Sequence, residues 1–387
     1  MIAFSLVTPI SCSPWDVKPQ LEALHRSLLR EIAGIDRVAA ALYDPKTDAL
    51  KTFVHSTDGE SPLIHYDALL ADVPSLGEVA RERRPRVVDD LSVFAGSDHE
   101  HSRRLLDLGY RSSYTVPFYD SGVLAGFLFF DSRSPARFTT SVVEKLRVYG
   151  QLIALILLHG LTSLRTLGAA VRVASRVTHE RDPETGAHLD RMSRYARLVA
   201  RRLSLGGGLT DEFVEYLFLF APLHDIGKVA IPDRVLLKKG RLDDEEFDLM
   251  KTHVLKGTGL VDDILGELGL ESFPNALVLR NVVLRHHEAV DGSGYPDGLA
   301  GDEIPIEARI VAVADVFDAL TSVRPYKEAW SAAAAFGYLH ERAGRQFDRE
   351  CVRALEAEAV AADEIRLRFL DEGRWGRQSR EGYTPDL

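Results

Sequence analysis

The sequence predicts two domains: an N-terminal α/β sheet with flanking helices, a long connecting helix, and a C-terminal all-α helical bundle. Three observations predict it. At 387 residues the chain exceeds one ordinary domain. Up to about residue 160, short β-like runs alternate with helical segments. From residue 179 the pattern is almost wholly helical and sets histidines and aspartates into apolar segments.

The N-terminal elements follow in order. Residues 17–33 place Leu21, Leu24, Leu28 and Ile32 at helical spacing with charges opposite. Two β-like runs, Asp36–Tyr43 and Leu50–His55, are split by the turn formers of DPKTD. SLGEVARERR reads as helix and leads to a short strand at Val87 and Val88. YTVPFY and VLAGFLFF, separated by Asp120, Ser121 and Gly122, read as a hairpin. A helix is expected over 140–178, where Leu164, Leu167, Val171 and Ala174 repeat like a coiled-coil seam and predict a homodimer. Gly160 and Gly168 weaken that seam and leave an amphipathic linker as the other reading. Beyond it, loops are expected at 206–208, 232–240 and 291–305, and residues 356–387 as a loose C-terminal extension.

Composition excludes several classes. With 45% hydrophobic and 27% charged residues the chain can build folded cores, so it is neither disordered throughout nor collagen-like. A net charge of −11 disfavours wrapping long nucleic acid or lying on an anionic membrane, but permits a small anionic ligand in a locally positive pocket. Cys12 and Cys351 cannot make a disulfide framework and read as free thiols of a reducing cytoplasm. No basic residue precedes the apolar stretch of MIAFSLVTPISCSPW, so no secretory signal is expected. The most apolar run, Leu152 to Leu158, is far short of the ~20 residues a bilayer needs.

The chemistry lies in the second half. Five of the thirteen histidines fall between His188 and His287. Glu184 and His188 stand four apart in RDPETGAHLDR and share a face if that segment is helical. His224 and Asp225 are adjacent in APLHDIGK, and can aim at one point only near a helix end or an irregular turn. His253 follows in MKTHVLKG, His286 and His287 in LRHHEAVDG, and Asp315 in VAVADVFDAL. An unpaired carboxylate buried at Asp315 is costly and needs a cation, a metal or a network. Five imidazoles and three carboxylates exceed the six positions of one octahedral ion, so two or three metals are implied. Nitrogen and oxygen donors without thiolate suit iron, manganese or zinc better than calcium.

Two resemblances then appear. Over about residues 17–158 the element order, with YRSSYTVPFYDSGVLAGFLFFDSRSPARFT, resembles a GAF domain, which implies a small-molecule sensor or a dimerisation platform over residues 1–158. HDIGKVAIPD, HHEAVDGSGYPDGLAGDEIP and ADVFDALTSVRPYKEA resemble the HD-GYP branch of the HD metal-dependent phosphohydrolases, from about Arg181 to Phe347 within a domain at 165–355. Gly294, Tyr295 and Pro296 form the tripeptide that names the branch.

This second resemblance implies hydrolysis of cyclic di-GMP to pGpG or GMP, by a hydroxide held between metals and attacking phosphorus, under control of the GAF-like domain. His224, Asp225, His253, His286, His287 and Asp315 would form a two-metal core with Asp225 bridging, and Glu184 and His188 a third position. Iron is the metal expected first and manganese next. Lys228 would supply a cation to the phosphoryl oxygens, or else pair with Asp318. Arg324 and Lys327 would clamp the ligand or be surface charges. Tyr295 would stack on guanine, bond a phosphate or fix its loop, and that loop would dock partners such as a cyclic di-GMP synthase. The competing functions are a phosphodiesterase for another cyclic dinucleotide and a non-catalytic cyclic-dinucleotide receptor.

Overall fold

Near-continuous apolar, β-prone runs along residues 37–57 and 112–132, buried largely on both faces, build the four middle strands of a six-stranded antiparallel sheet in this computed structural model. The structure describes residues 17–59, 61, 63–95, 100–179, 186–238, 240–268, 275–322 and 329–370, with 100 and 162–179 as backbone alone. Two units divide the chain, and the boundary falls after Leu164.

The first unit runs α1 (Val17–Glu31), β1 (Arg37–Asp44), β2 (Ala49–Thr57), β3 (Asp67–Leu69), α2 (Pro74–Glu82), β4 (Arg86–Val88), α3 (Glu100–Asp107), β5 (Ser112–Asp120) and β6 (Val123–Ser132). Strand order is β3-β2-β1-β6-β5-β4. The predicted hairpin is β5–β6, and its two-residue turn has positive φ at both Ser121 (49°) and Gly122 (86°), the twist that suits flanking strands. On one face Val73, Leu76 and Val79, at and beside α2, close over Leu50 and Phe127. On the other, Tyr114 packs against Phe130 and Phe138. Strand β3 and helix α3 were not expected from the sequence. The buried stripe of α1 takes His25 in place of Leu24, because the imidazole finds Ser56 Oγ (2.8 Å) and the Ile35 carbonyl (2.7 Å).

Helix α4 (Thr140–His179) covers the stretch expected to be continuous helix. The side chains of its proposed seam, Leu164 to Ala174, lie outside the described residues, as does Cys12.

The second unit is helical: α5 (Gly186–Ser204), α6 (Asp211–Phe220), α7 (Asp233–Leu236), α8 (Asp244–Lys251), α9 (His253–Glu267), α10 (Ala276–Arg285), α11 (Ile306–Thr321), α12 (Ala332–Arg342), α13 (Arg349–Ala357) and α14 (Ala359–Arg368). Helix α5 is its axis, buried on every side from Arg191 to Ala200. Its Met192, Tyr195 and Val199 share one core with Ile310, Val313 and Phe317 of α11, and Tyr195 meets Phe317 edge-to-face at 5.2 Å. A helix buried all round must satisfy its own charges. Arg197 does so with Glu215 (2.6 Å) and Arg191 with Asp318 (2.6 Å).

The expectation of a loose chain from residue 356 is corrected as far as residue 370. Helix α14 is ordered there by a buried Ala362, by Arg191 donating to the Phe369 carbonyl (2.8 Å), and by Arg194 over the Phe369 ring. Residues 371–387 lie outside the described residues. Among the described residues no helix is long and apolar enough to cross a membrane.

Candidate metal centre

Six of the predicted donors stand at helix ends or turns. His188 sits in the first turn of α5, and His253 begins α9. His286 and His287 directly follow α10. His224 and Asp225 occupy the break between two 3-10 turns, Ala221–Leu223 and Ile226–Ala230, which is the irregular geometry the doublet requires. Asp315 alone projects from mid-helix, on α11.

Glycines bring these ends together. A Cβ on Gly227 would lie 1.9 Å from the His253 carbonyl oxygen and 2.5 Å from the Gly257 nitrogen, so only glycine lets the turn after Asp225 press on α9. A Cβ on Gly294 would meet the Ala289 nitrogen at 2.2 Å, which folds the Gly-Tyr-Pro loop back onto the histidine doublet.

Two groups of convergent ligand atoms result: Asp225, His253, His286 and His287 in one, and His188, His224 and Asp315 in the other. Asp225 faces both. Its Oδ1 is 3.1 Å from His253 Nε2 and 3.6 Å from His286 Nε2, and its Oδ2 is 3.2 Å from His224 Nε2. Asp315 Oδ1 lies 3.8 Å from Nε2 of both His188 and His224.

The outward nitrogens decide the tautomers. Nδ1 of His224, His253 and His286 reaches the main-chain carbonyls of Ala221 (3.0 Å), Met250 (2.8 Å) and Val282 (2.9 Å). A carbonyl only accepts, so Nδ1 carries the proton and Nε2 turns a lone pair inward. His188 is held the same way by Asp318 Oδ2 at 2.7 Å. The inward Nε2 of His253 and of His286, and Oδ1 of Asp225, are buried atoms that make no hydrogen bond. Burying such atoms without a partner is costly, and a cation is the partner this donor set accepts.

Electrostatics agree. Burial pushes the His286 imidazole below its usual value, and burial with the neighbouring His286 holds His287 well below it, so both stay neutral donors. Burial alone would raise the Asp225 carboxyl, but Lys228 and His224 outweigh it and keep it well below the carboxylate range. Lys228 Nζ sits 2.7 Å from Asp225 Oδ2.

Residues 173–351 match the family described as HD domain, and residues 24–157 the family described as GAF domain. The first unit thus matches a GAF domain and the second an HD domain. It is 52% identical over 181 residues to a cyclic di-GMP phosphodiesterase response regulator, RpfG, of Xanthomonas campestris pv. campestris, covering 47% of this chain and 45% of that protein. To a cyclic di-GMP phosphodiesterase of Vibrio cholerae it is 42% identical over 210 residues, 53% of this chain and 42% of that one. A 3′3′-cGAMP-specific phosphodiesterase 2 of Vibrio cholerae is 39% identical over 175 residues, 45% of this chain and 31% of that one. The chain thus spans less than half the length of these relatives.

The HD domain gathers seven of the eight expected donors, and Glu184, Arg324 and Lys327 lie outside the described residues. Two expectations change. Asp315 keeps 22% of its side chain exposed, and the deeply buried acid of α11 is Asp318, one turn on, at 1%. Asp318 is engaged by His188 and Arg191, so Lys228 pairs with Asp225 and not with Asp318.

Sequence reasoning missed Arg191 and Glu288. The Glu288 carboxylate, directly after the histidine doublet, accepts the main-chain N–H groups of Asp297 (2.9 Å) and Leu299 (3.0 Å) and so shapes the Gly-Tyr-Pro loop. Tyr295 stacks on His287 with ring centres 4.8 Å apart. Beside the donors a cleft of about 590 Å³ is lined by His286, His287, Tyr295, Asp315, Arg342 and Arg345, the last two also unforeseen.

Proposed function

We propose that the HD domain hydrolyses cyclic di-GMP to pGpG or GMP, with His188, His224, Asp225, His253, His286, His287 and Asp315 as ligands of divalent metal ions. The observation that carries this is the set of inward Nε2 atoms, each with its Nδ1 pinned outward, around two carboxylates. Ions held there supply a nucleophile at neutral pH and draw charge from the phosphoryl oxygens. Two donor groups support two ions, and Glu184 with His188 would add a third. The nitrogen and oxygen donors fit iron first and manganese next.

The chain's own residues do the positioning. Asp225 faces both donor groups and is the natural bridge. Lys228 keeps its ammonium beside that carboxylate, where a phosphoryl oxygen gathers charge in the transition state. Tyr295 offers a ring at the cleft wall for a base, with Arg324 and Lys327 as further clamps. The GAF domain would regulate turnover, α4 would carry a homodimer contact, and the Gly-Tyr-Pro loop would dock a cyclic di-GMP synthase in a cytoplasmic setting. A second reading keeps the chemistry and changes the base, as the likeness to a 3′3′-cGAMP-specific enzyme suggests.

The test is anaerobic turnover of cyclic di-GMP and 3′3′-cGAMP, with metal content measured on the same sample. More than one metal per chain and release of pGpG or GMP are expected, with loss of activity on chelation. A fully loaded protein that binds cyclic di-GMP without cleaving it would instead be a receptor.

The cleft makes a narrower prediction. Arg345 is exposed there, and its loop is tied to the Gly-Tyr-Pro loop by the Asp291 N–H donating to the Arg345 carbonyl (2.8 Å). Arg345→Ala should raise KM for cyclic di-GMP about tenfold with kcat little changed, the loss of one charge-assisted contact outside the reacting phosphate. Hydrolysis of bis(p-nitrophenyl) phosphate, which has no second half to hold, should be unaffected. An equal loss on both substrates would show that Arg345 acts through the fold.

A further inference from the structure

The GAF domain holds a pocket of about 320 Å³ that the proposed hydrolysis does not use. Its floor is one face of the sheet. Register lays Arg86, Thr115, Phe129 and Ala39 in one row across β4, β5, β6 and β1, and Val88, Ser113, Asp131 and Arg37 in the next. The cavity exists because Ala39, Ala41, Ser113 and Thr115 are small where larger side chains would have filled the space under α2. Its walls are apolar, among them Leu63, Val73, Leu76, Phe94 and Leu105.

Two guanidinium groups border this apolar space. Arg37 is 2% exposed, and its Nη1 donates to Asp131 Oδ2 at 2.5 Å, while Ser113 Oγ donates to Asp131 Oδ1 at 2.7 Å. That leaves Arg37 Nε, a buried atom that makes no hydrogen bond. Arg86 Nε, on the edge strand, is buried in the same condition. Buried N–H groups of this kind call for an acceptor.

The charges say which acceptor. Arg37 is balanced by Asp131, and Lys51, also at the cavity, by Asp44 at 3.3 Å. Arg86 has no ion pair within 4 Å among the described residues, although Glu78 acts on it from farther off. Among the described residues one positive charge is therefore left over beside an apolar chamber. A chamber of this size suits a small ligand.

We propose that the GAF domain binds a small organic acid with a compact apolar body, its carboxylate received by Arg86. Guanidinium is the cation whose fork matches a carboxylate, and the apolar body replaces the void left by the small floor residues.

Calorimetry on the full chain tests this with two pairs of probes, octanoate against 1-octanol and 1-naphthoate against 1-naphthol. At least one acid should bind about tenfold or more tightly than its alcohol. Arg86→Gln, a change on an edge strand, should remove that preference and leave the unfolding temperature nearly unchanged. Thr115→Leu, which fills the chamber from its floor, should abolish binding of acid and alcohol alike. Equal affinity for acid and alcohol, or a preference that survives Arg86→Gln, overturns the carboxylate assignment. Failure of all four probes, or binding of cyclic GMP in their place, overturns the proposal outright. Because the readout is binding, an HD domain without turnover leaves the result intact.

Discussion

Asp225→Ala should lower kcat/KM for the proposed cyclic di-GMP hydrolysis by at least about 10³-fold, the several kcal/mol expected if Asp225 is the bridging ligand of the proposed metal centre. The expectation rests on position. Asp225 is the carboxylate that approaches His224, His253, His286 and Lys228 together, at 3.2, 3.1, 3.6 and 2.7 Å. Removing it takes away the anion around which four positive or cation-binding groups are arranged, so metal content should fall with activity. Asp225→Asn separates charge from shape: it keeps the side-chain volume, and should lose metal nearly as completely while unfolding close to the parent temperature. The measurement is metal per chain by elemental analysis beside steady-state kinetics. Turnover near the parent level in either variant would remove the proposed centre.

Arg191→Ala costs about 3–5 kcal/mol of stability, the range for stranding one partner of a buried ion pair. Arg191 donates to Asp318 through Nε (2.6 Å) and Nη2 (2.9 Å), to Ser322 Oγ (2.8 Å) and to the Phe369 carbonyl (2.8 Å). Its side chain is 3% exposed and that of Asp318 1%. Without the guanidinium, the buried Asp318 carboxylate retains His188 and Ser322. An imidazole that takes up a second proton to balance that charge can no longer present a lone pair at Nε2, so metal affinity at this group should drop roughly 10–100-fold.

The pH dependence has a definite sign. Burial acts to raise the Asp318 carboxyl, and the bonds from His188 and Arg191 outweigh it, leaving the folded-state value below the ordinary one. A depressed acid contributes stability above its unfolded pKa and loses it as pH falls through the folded value. Arg191→Ala removes part of that depression, so its deficit should be largest near neutrality and shrink in acid. The drop in unfolding temperature should be roughly 10 °C near pH 7. Replacing the pair together, as Arg191→Met with Asp318→Leu, should cost less than Arg191→Ala alone. A deficit constant across pH would show that packing, and not the ion pair, is what Arg191 contributes.

The legible parts of this molecule were those written in local pattern. Strands β1, β2, β5 and β6 were readable because short apolar, β-prone runs broken by turn formers are properties of neighbouring residues. Strand β3 and helix α3 were not: Asp67–Leu69 carries no run of β-branched or apolar residues such as marks β4, and α3 is mostly charged and polar, EHSRRLLD. The donors were readable as residue types on core-like segments, because a histidine or aspartate there is an anomaly in any fold. Arg191 was not. It lies 127 residues from Asp318 and looks, in sequence, like one more charge among the arginines of α5. Asp315 was read as the buried acid of its helix, but one turn of α11 separates the acid that faces the cleft from the acid that faces the core.

By itself, the sequence determined which atoms are available: five imidazoles and their carboxylates in the second half, small residues on alternate positions of two strands in the first. Identity and spacing suffice for that, since donor chemistry and strand alternation are local. Which atoms meet was decided only by the tertiary structure. Lys228 had two acids within plausible reach and took Asp225, because Arg191 and His188 already held Asp318. The chamber over Ala39 and Thr115 exists only once register sets four strands side by side, and its unmet guanidinium nitrogens are defined by burial, which no single strand possesses alone.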